Sequence, residues 1–248
     1  MKIDVNADIG EGGLVDDALL QWVTSANIAC GGHTGDVDTM TRALLSAQKR
    51  GVSVGAHPSL PDREHFGRRE FPVTPAQVEH LVVDQVGAFH EVALGMAIQP
   101  RQVKPHGALY HLLGRDRSLA GAFLAGLDRI DPRLAIVCPG HSELAALARV
   151  QGRRVIAEVF ADRGYQINGH LVARGQPGDL LSCPGEVARR MRDLLTLGRI
   201  STVDGGQIGL ETDTICFHSD TEGALNFLQE VLATFKAAGI LVCSWTIP

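Results

Sequence analysis

The 248-residue sequence has no basic run, no C-x-x-C pair and no uninterrupted apolar stretch near the ~18 residues that a membrane span requires. Each absence removes a class of function. A nucleic-acid binder needs a cationic stripe to neutralise phosphates, and this chain carries a formal net charge of −5 with its charges dispersed. The five cysteines (Cys30, Cys138, Cys183, Cys216 and Cys243) are odd in number and far apart, which excludes a disulfide framework. The opening MKIDVNADIG offers no apolar secretory segment, so a reducing cytoplasm is the expected location. None of Lys2, Lys49, Lys104 or Lys236 follows a glycine, so the G-x-x-x-x-G-K-[ST] phosphate cradle is missing. H-E-x-x-H is missing as well, so no local motif marks a zinc site. Trp22, Trp245 and the eight phenylalanines read as core or interface filler.

What is present is alternation. Short β-rich apolar runs at 2–6, 26–30, 52–56, 102–104, 134–138, 155–160, 214–217 and 240–247 are separated by helical patterns at 37–50, 76–94, 119–127, 143–150, 186–197 and 221–238. Repeated βα units of this kind build a parallel sheet, and the length suits a single (β/α) barrel domain over residues 1–248. Thr74-Pro75-Ala76-Gln77 predicts a capping box with proline in the first turn, and Ser219 with Glu222 predicts a second box. Gly51, Gly152, Gly198 and Gly239 each follow a helical pattern, where a left-handed cap favours glycine. Two polar, Gly/Pro-rich stretches, 58–72 and 161–184, are too long for plain connections and predict binding loops.

Residues capable of chemistry fall just beyond the apolar runs. Asn6, Asp8 and Glu11 follow the first; Gly31, Gly32, His33 and Asp36 the second; His57 the third. Lys104 and His106 follow the fourth, His141 the fifth, Asp162 and Arg163 the sixth, His218 and Asp220 the seventh. In a parallel barrel all these strand ends open on one face, so the residues should converge on one rim. Asp8 is expected to act as general base or metal ligand, with a structural carboxylate as the bland reading. Glu11 is a weaker candidate that can simply cap a turn. His33 and His57 suit acid–base work or metal ligation. Strand alternation puts Lys104 and His106 on one side. There Lys104 would bind phosphate, carboxylate or oxyanion, pair internally with Asp8 or Asp162, or form a Schiff base. The Gly31–Gly32 backbone could present N–H groups to an anion. Arg163, Arg68 or Arg69 could hold a substrate carboxylate, although Asp162 and Arg163 also suit a loop salt bridge. Cys30 ends a buried strand, where packing is commoner than nucleophilic use. A divalent metal, if bound, would draw on Asp8, His33, His57 and His106.

Six blocks carry a family resemblance: VNADIGEG, TSANIACGGHTGDVDTM, VGAHPSLPDREHFGRREF, VKPHGALYH, FADRGYQINGHLVAR and CFHSD. Together they resemble the LamB/YcsF family of 5-oxoprolinase subunits, from about residue 3 to the last strand. The resemblance implies an irregular seven-stranded barrel similar to the glycoside hydrolase/deacetylase barrels. It implies ATP-coupled opening of the 5-oxoproline lactam to glutamate with two partner subunits, ATP being co-substrate and shared with or bound by a partner. A homo-oligomer is compatible with it. Rival readings are a stand-alone metal-dependent amide hydrolase or deacetylase, a Schiff-base lyase using Lys104, and a non-catalytic substrate carrier.

Overall fold

The structure is a computed structural model that describes residues 1–12, 15–217 and 223–245. Seven strands pair in parallel: β1 (Lys2–Ile9), β2 (Ser25–Ala29), β3 (Ser53–His57), β4 (Gln102–Val103), β5 (Ala135–Cys138), β6 (Val155–Phe160) and β9 (Thr214–Phe217). The last pairs back onto β1, with Asp4 opposite Thr214 and Asn6 opposite Cys216, and this contact closes the barrel. The expected α/β barrel is therefore present. Among the described residues the eighth apolar run contributes β10 (Leu241–Val242), which pairs with Lys2 and Ile3 at the start of β1 and stays outside the ring.

Around the barrel stand α2 (Val37–Arg50), α3 (Pro75–Gly95), α4 (Gly107–Arg115), α5 (Arg117–Asp128), α6 (Glu143–Val150), α7 (Pro184–Leu197) and α8 (Ala224–Ala237). Each buries one stripe. In α2 it is Met40, Ala43, Leu44 and Ala47, the i, i+3, i+4, i+7 spacing of an amphipathic helix. Full burial of Leu44 alone contributes about 2 kcal/mol. The Thr74 capping box forms as the sequence indicates: Gln77 N–H donates to Thr74 Oγ1 at 3.3 Å and Gln77 Oε1 accepts from Thr74 N–H at 2.8 Å. Asp36, a candidate site residue, instead caps α2 through the Thr39 N–H at 2.8 Å. Ser219 and Glu222 lie outside the described residues, as do His218 and Asp220. Three pieces go beyond the sequence pattern: α1 (Asp16–Leu19), α4, and an antiparallel hairpin of β7 (Ile200–Ser201) and β8 (Gln207–Ile208).

On β1 the side chains alternate between barrel interior and helix layer, and both sets are buried. Ile3, Val5, Ala7 and Ile9 belong to the apolar core. Asp4, Asn6 and Asp8, two residues apart, bond to polar partners on other strands. The interior of this barrel is accordingly polar. Asp4 accepts from Thr24 at 2.7 Å, Ser25 at 2.7 Å and Thr214 at 2.5 Å; burial raises its carboxyl pKa, and these hydroxyls partly oppose the rise. Above it Asn6 donates to Glu158 and Thr214 while accepting from Asn27. No helix among the described residues is long and apolar enough to cross a membrane.

Gly55 on β3 allows β4 to approach: a Cβ there would collide with the Gln102 carbonyl and side chain. Gly55→Ala is expected to cost about 1–3 kcal/mol by overpacking, read as a lower urea midpoint. An unchanged midpoint would refute this close fit.

Candidate active site

Five of the strand ends place polar side chains around one cavity of about 550 Å³, whose lining includes Asp8, His57, Lys104, His106, His141 and Arg163. Its floor is set by Lys104, just beyond β4 and 2% exposed. The ammonium lies 3.0 and 3.1 Å from the two Asp8 oxygens and 2.7 Å from Glu158 Oε1. It also contacts Cys216 Sγ at 3.1 Å and Asn6 Oδ1 at 3.5 Å. Burial lowers its pKa, but the carboxylates of Asp8 and Glu158 outweigh that and hold it well above the usual lysine value. The internal pair with Asp8, one of the two alternatives expected for Lys104, is present, and Glu158 on β6 supplies a second carboxylate. Tyr110 on α4 donates to Glu158 Oε2 at 2.9 Å, and burial together with Glu158 keeps the phenol protonated.

Beside this triad stand three imidazoles and a carboxylate. His57, the last residue of β3, has Nε2 3.4 Å from Asp8 Oδ2 and 3.6 Å from Glu11 Oε1. His106 Nδ1 is 3.0 Å from His57 Nε2 and 3.3 Å from Glu11 Oε1. His33 Nε2 meets the same Glu11 oxygen at 2.9 Å, and its ring stacks on His106 at 3.7 Å between centroids. Burial first, then the neighbouring imidazoles, lower the pKa of His106; His33 is pushed down to about 2 by burial with His57 next. Glu11, which the sequence alone allows to be a mere turn cap, is therefore central. The four donors lying within 4.8 Å of one another are those of Glu11, His33, His57 and His106, so Glu11 takes the place that the sequence suggests for Asp8.

The loop after β3 shapes this cluster. Phe66 has φ 55°, a left-handed conformation rare for a bulky residue, and its carbonyl accepts from His106 Nε2 at 2.9 Å. Gly67, at φ 64°, leaves no room for a Cβ between His33 and His106. Both residues belong to the stretch that the sequence marks as a binding loop.

Other expected members lie elsewhere. Gly31 N–H donates to the Thr34 carbonyl at 2.8 Å, and Gly31 and Gly32 line a separate cavity beside α3, so the proposed anion nest does not face Lys104. Arg163 reaches the cavity, but its Nε and Nη2 donate to the Asp179 and Val172 carbonyls of its own loop, which corrects the reading of it as an open carboxylate fork. Asp162 is buried, and its carbonyl accepts from Leu181 N–H at 2.9 Å. Arg68 is half-buried at the mouth with its guanidinium 5.0 Å from the Phe66 ring centre; Arg69 is exposed and 3.6 Å from Asp62. The cavity wall also includes His111, Arg115, His170 and Arg174, which sequence reasoning does not single out.

Lys104→Met is expected to lower stability at pH 7 by about 3–5 kcal/mol, because Asp8 and Glu158 then share a buried space without their cation. In the wild type a raised lysine pKa contributes stability that is fully present below the unfolded value near 10.4 and is lost only as pH rises through the folded one. In the variant the two carboxyl pKa values rise above their unfolded values near 4, so the deficit should shrink as pH falls from 7 towards 4. Urea unfolding at several pH values reads this, and a pH-independent deficit would contradict it. Burial pushes the Cys30 and Cys138 thiols to about 12 and holds Cys216 well above the ordinary thiol value, whereas Cys183 is exposed. Iodoacetamide at pH 8 should label Cys183 and spare Cys30, Cys138 and Cys216 in the native protein. Rapid labelling of Cys30 would revive it as a nucleophile.

The comparisons with known proteins agree with this architecture. The profile of the LamB/YcsF family matches residues 3–247. A lactam utilization protein from Thermus thermophilus superposes with a TM-score of 0.91 at 36% identity, covering 99% of this chain and 100% of that one. A family 4 carbohydrate esterase from Streptomyces lividans gives a TM-score of 0.49 at 12% identity, covering 97% of this chain and 91% of that one. With a family match from the first strand to the end of the last, and a solved relative above one-third identity over its whole length, this chain belongs to the LamB/YcsF family.

Proposed function

We propose that the chain is the ring-opening subunit of an ATP-dependent 5-oxoprolinase, hydrolysing the lactam of 5-oxo-L-proline to L-glutamate in the cytoplasm together with two partner subunits. The observation that carries this reading is the buried carboxylate Asp8, held ionised by Lys104 and facing His57 on the floor of an arginine-rimmed cavity. A relative that superposes on the whole chain is described as a lactam utilization protein, which favours a cyclic amide over other substrates.

A five-membered lactam is a stable amide. Water must lose a proton as it attacks, the oxygen must tolerate negative charge, and the nitrogen must gain a proton as it leaves. Asp8 can take the proton from water as the new C–O bond forms and return it to the ring nitrogen as the C–N bond breaks. The Lys104 ammonium keeps Asp8 anionic and lies where it offsets charge developing on the carbonyl oxygen. Arg68 and Arg174 at the mouth favour a substrate that carries a carboxylate; Arg115 is paired with Glu70. Coupling to ATP is read as transfer of its γ-phosphoryl group to the amide oxygen, with ADP leaving. Water then adds to this better electrophile, breakage of the C–N bond leaves γ-glutamyl phosphate, and a second water releases phosphate and glutamate. With no phosphate-cradling motif in the sequence, nucleotide binding is assigned to a partner.

The lyase reading fares worse on physical grounds. A Schiff base begins with a neutral amine, and Lys104 is clamped as an ammonium by two carboxylates. A passive carrier would need the cationic mouth but not a buried carboxylate opposed to an imidazole.

In a complex reconstituted with the partner subunits, Asp8→Asn is expected to lower glutamate formation about 10²–10⁴-fold with the far-UV circular dichroism retained. Undiminished turnover would overturn the assignment.

A further inference from the structure

We infer that Glu11, His33, His57 and His106 form a binding site for one divalent transition-metal ion, of the zinc or cobalt class, at the floor of the cavity.

The geometry begins with the outer nitrogens. His57 Nδ1 lies 2.7 Å from the Lys104 carbonyl, and His106 Nε2 lies 2.9 Å from the Phe66 carbonyl. A carbonyl only accepts, so both of these ring nitrogens carry hydrogen. In a neutral imidazole the opposite nitrogen is then a bare lone pair. His57 Nε2 and His106 Nδ1 are those opposite nitrogens, and they face one another at 3.0 Å. Two lone pairs at that separation repel unless something positive sits between them. Backbone carbonyls that orient imidazoles in this way are the usual outer support of a metal-ligating histidine.

The remaining donors complete a polyhedron. Glu11 Oε1 lies 2.9, 3.6 and 3.3 Å from the inner nitrogens of His33, His57 and His106. Four donors set about 2.0–2.1 Å from a tetrahedral ion are separated from one another by about 3.3 Å. The three Glu11 spacings and the 3.0 Å between His57 and His106 bracket that value, and all four donors lie within 4.8 Å of one another, so small side-chain shifts would close them on an ion. His33 Nδ1 has no hydrogen-bond partner among the described residues, so no outer bond fixes the tautomer of that ring: the hydrogen that Nε2 directs at Glu11 can move to Nδ1, which frees the Nε2 lone pair for an ion. All three histidines are at least nine-tenths buried, and the Glu11 side chain is 5% exposed. Three imidazoles and one carboxylate are borderline donors, which select zinc-like ions over calcium or magnesium. His57 and His106 also line the cavity, so a ligand can approach from that side.

Such an ion would supply Lewis acidity towards water or a carbonyl oxygen. Asp8, with Oδ2 3.4 Å from His57 Nε2, would then accept the water's proton beside the site. That role rests on the hydrolytic reading above; the site itself rests on the four donors.

The test uses the full chain, stripped with a chelator and titrated with Co²⁺, with visible absorption as the readout and Zn²⁺ as competitor. One Co²⁺ per chain is expected, with the ligand-field bands of nitrogen-rich low coordination, displaced by one equivalent of Zn²⁺. Glu11→Ala and His106→Ala should each weaken binding about 100-fold or more, while His80→Ala on exposed α3 should not. No stoichiometric binding of either ion to the wild-type chain overturns the site, whatever the variants do, and so does binding unaffected by both ligand substitutions. Ring opening is assayed separately in the reconstituted complex. Stoichiometric binding without ring opening would uphold the site and remove the proposed function; full turnover by metal-stripped protein would remove the ion's catalytic role.

Discussion

Lys104 places one ammonium between Asp8 on β1 and Glu158 on β6, and a barrel that encloses this triad cannot be filled with hydrocarbon alone. Buried charge is tolerated only where every member is bonded, and the layers beneath supply those bonds. Asn6, Asn27 and Gln102 pass hydrogen bonds from strand to strand, and Asp4 anchors the lowest layer with three hydroxyls. The apolar core has moved outward, between the strands and the helices, where Val5, Ile28, Val86 and Phe123 pack. The barrel thus has two interiors, an oily shell for stability and a polar shaft for chemistry.

The triad and the histidine cluster share parts. The Lys104 side chain engages Asp8, while its backbone carbonyl accepts from His57. One residue therefore orients a carboxylate and an imidazole that lie 3.4 Å apart. Phe66 performs a matching task for His106 from a strained backbone, which is the kind of cost a protein retains where position matters more than comfort.

Much of this is legible in the sequence because barrel topology converts position along a strand into position in space. Asp8, His57, Lys104 and His106 each follow an apolar run, and winding alone gathers them. Glu158 is easily overlooked because it lies within an apolar strand, although a lone acid in VIAEVF is itself a sign of an inward-facing partner. Glu11 is undervalued by the sequence because nothing local reveals that its carboxylate turns back to meet histidines 22, 46 and 95 positions away. Gly31 and Gly32 look like an anion nest in one dimension, but the Gly31 amide is taken by the Thr34 carbonyl and both residues line a different cavity, beside α3. The Arg163 guanidinium is engaged by carbonyls that only folding brings near. Strand ends are thus readable, while loop hydrogen bonding, which depends on dihedral detail, is not.

The rim is lopsided. The wall after β3 is laced to the start of α4 by main-chain bonds, His106 to Pro58 at 2.8 Å and Ala108 to Gly67 at 2.9 Å. The wall after β6 is bonded to itself, through Gly164 with Asp179, Val172 with Gly164 and Leu181 with Asp162, and to its flank, through Arg190 on α7 with the Arg163 carbonyl and Val203 beside the hairpin with the Tyr165 carbonyl. Tilting that wall outward would leave its internal bonds intact and break its ties to α7 and the hairpin, away from the floor. Prising back the opposite wall would instead loosen the carbonyl that steadies His106, so widening the mouth there would disarm the floor.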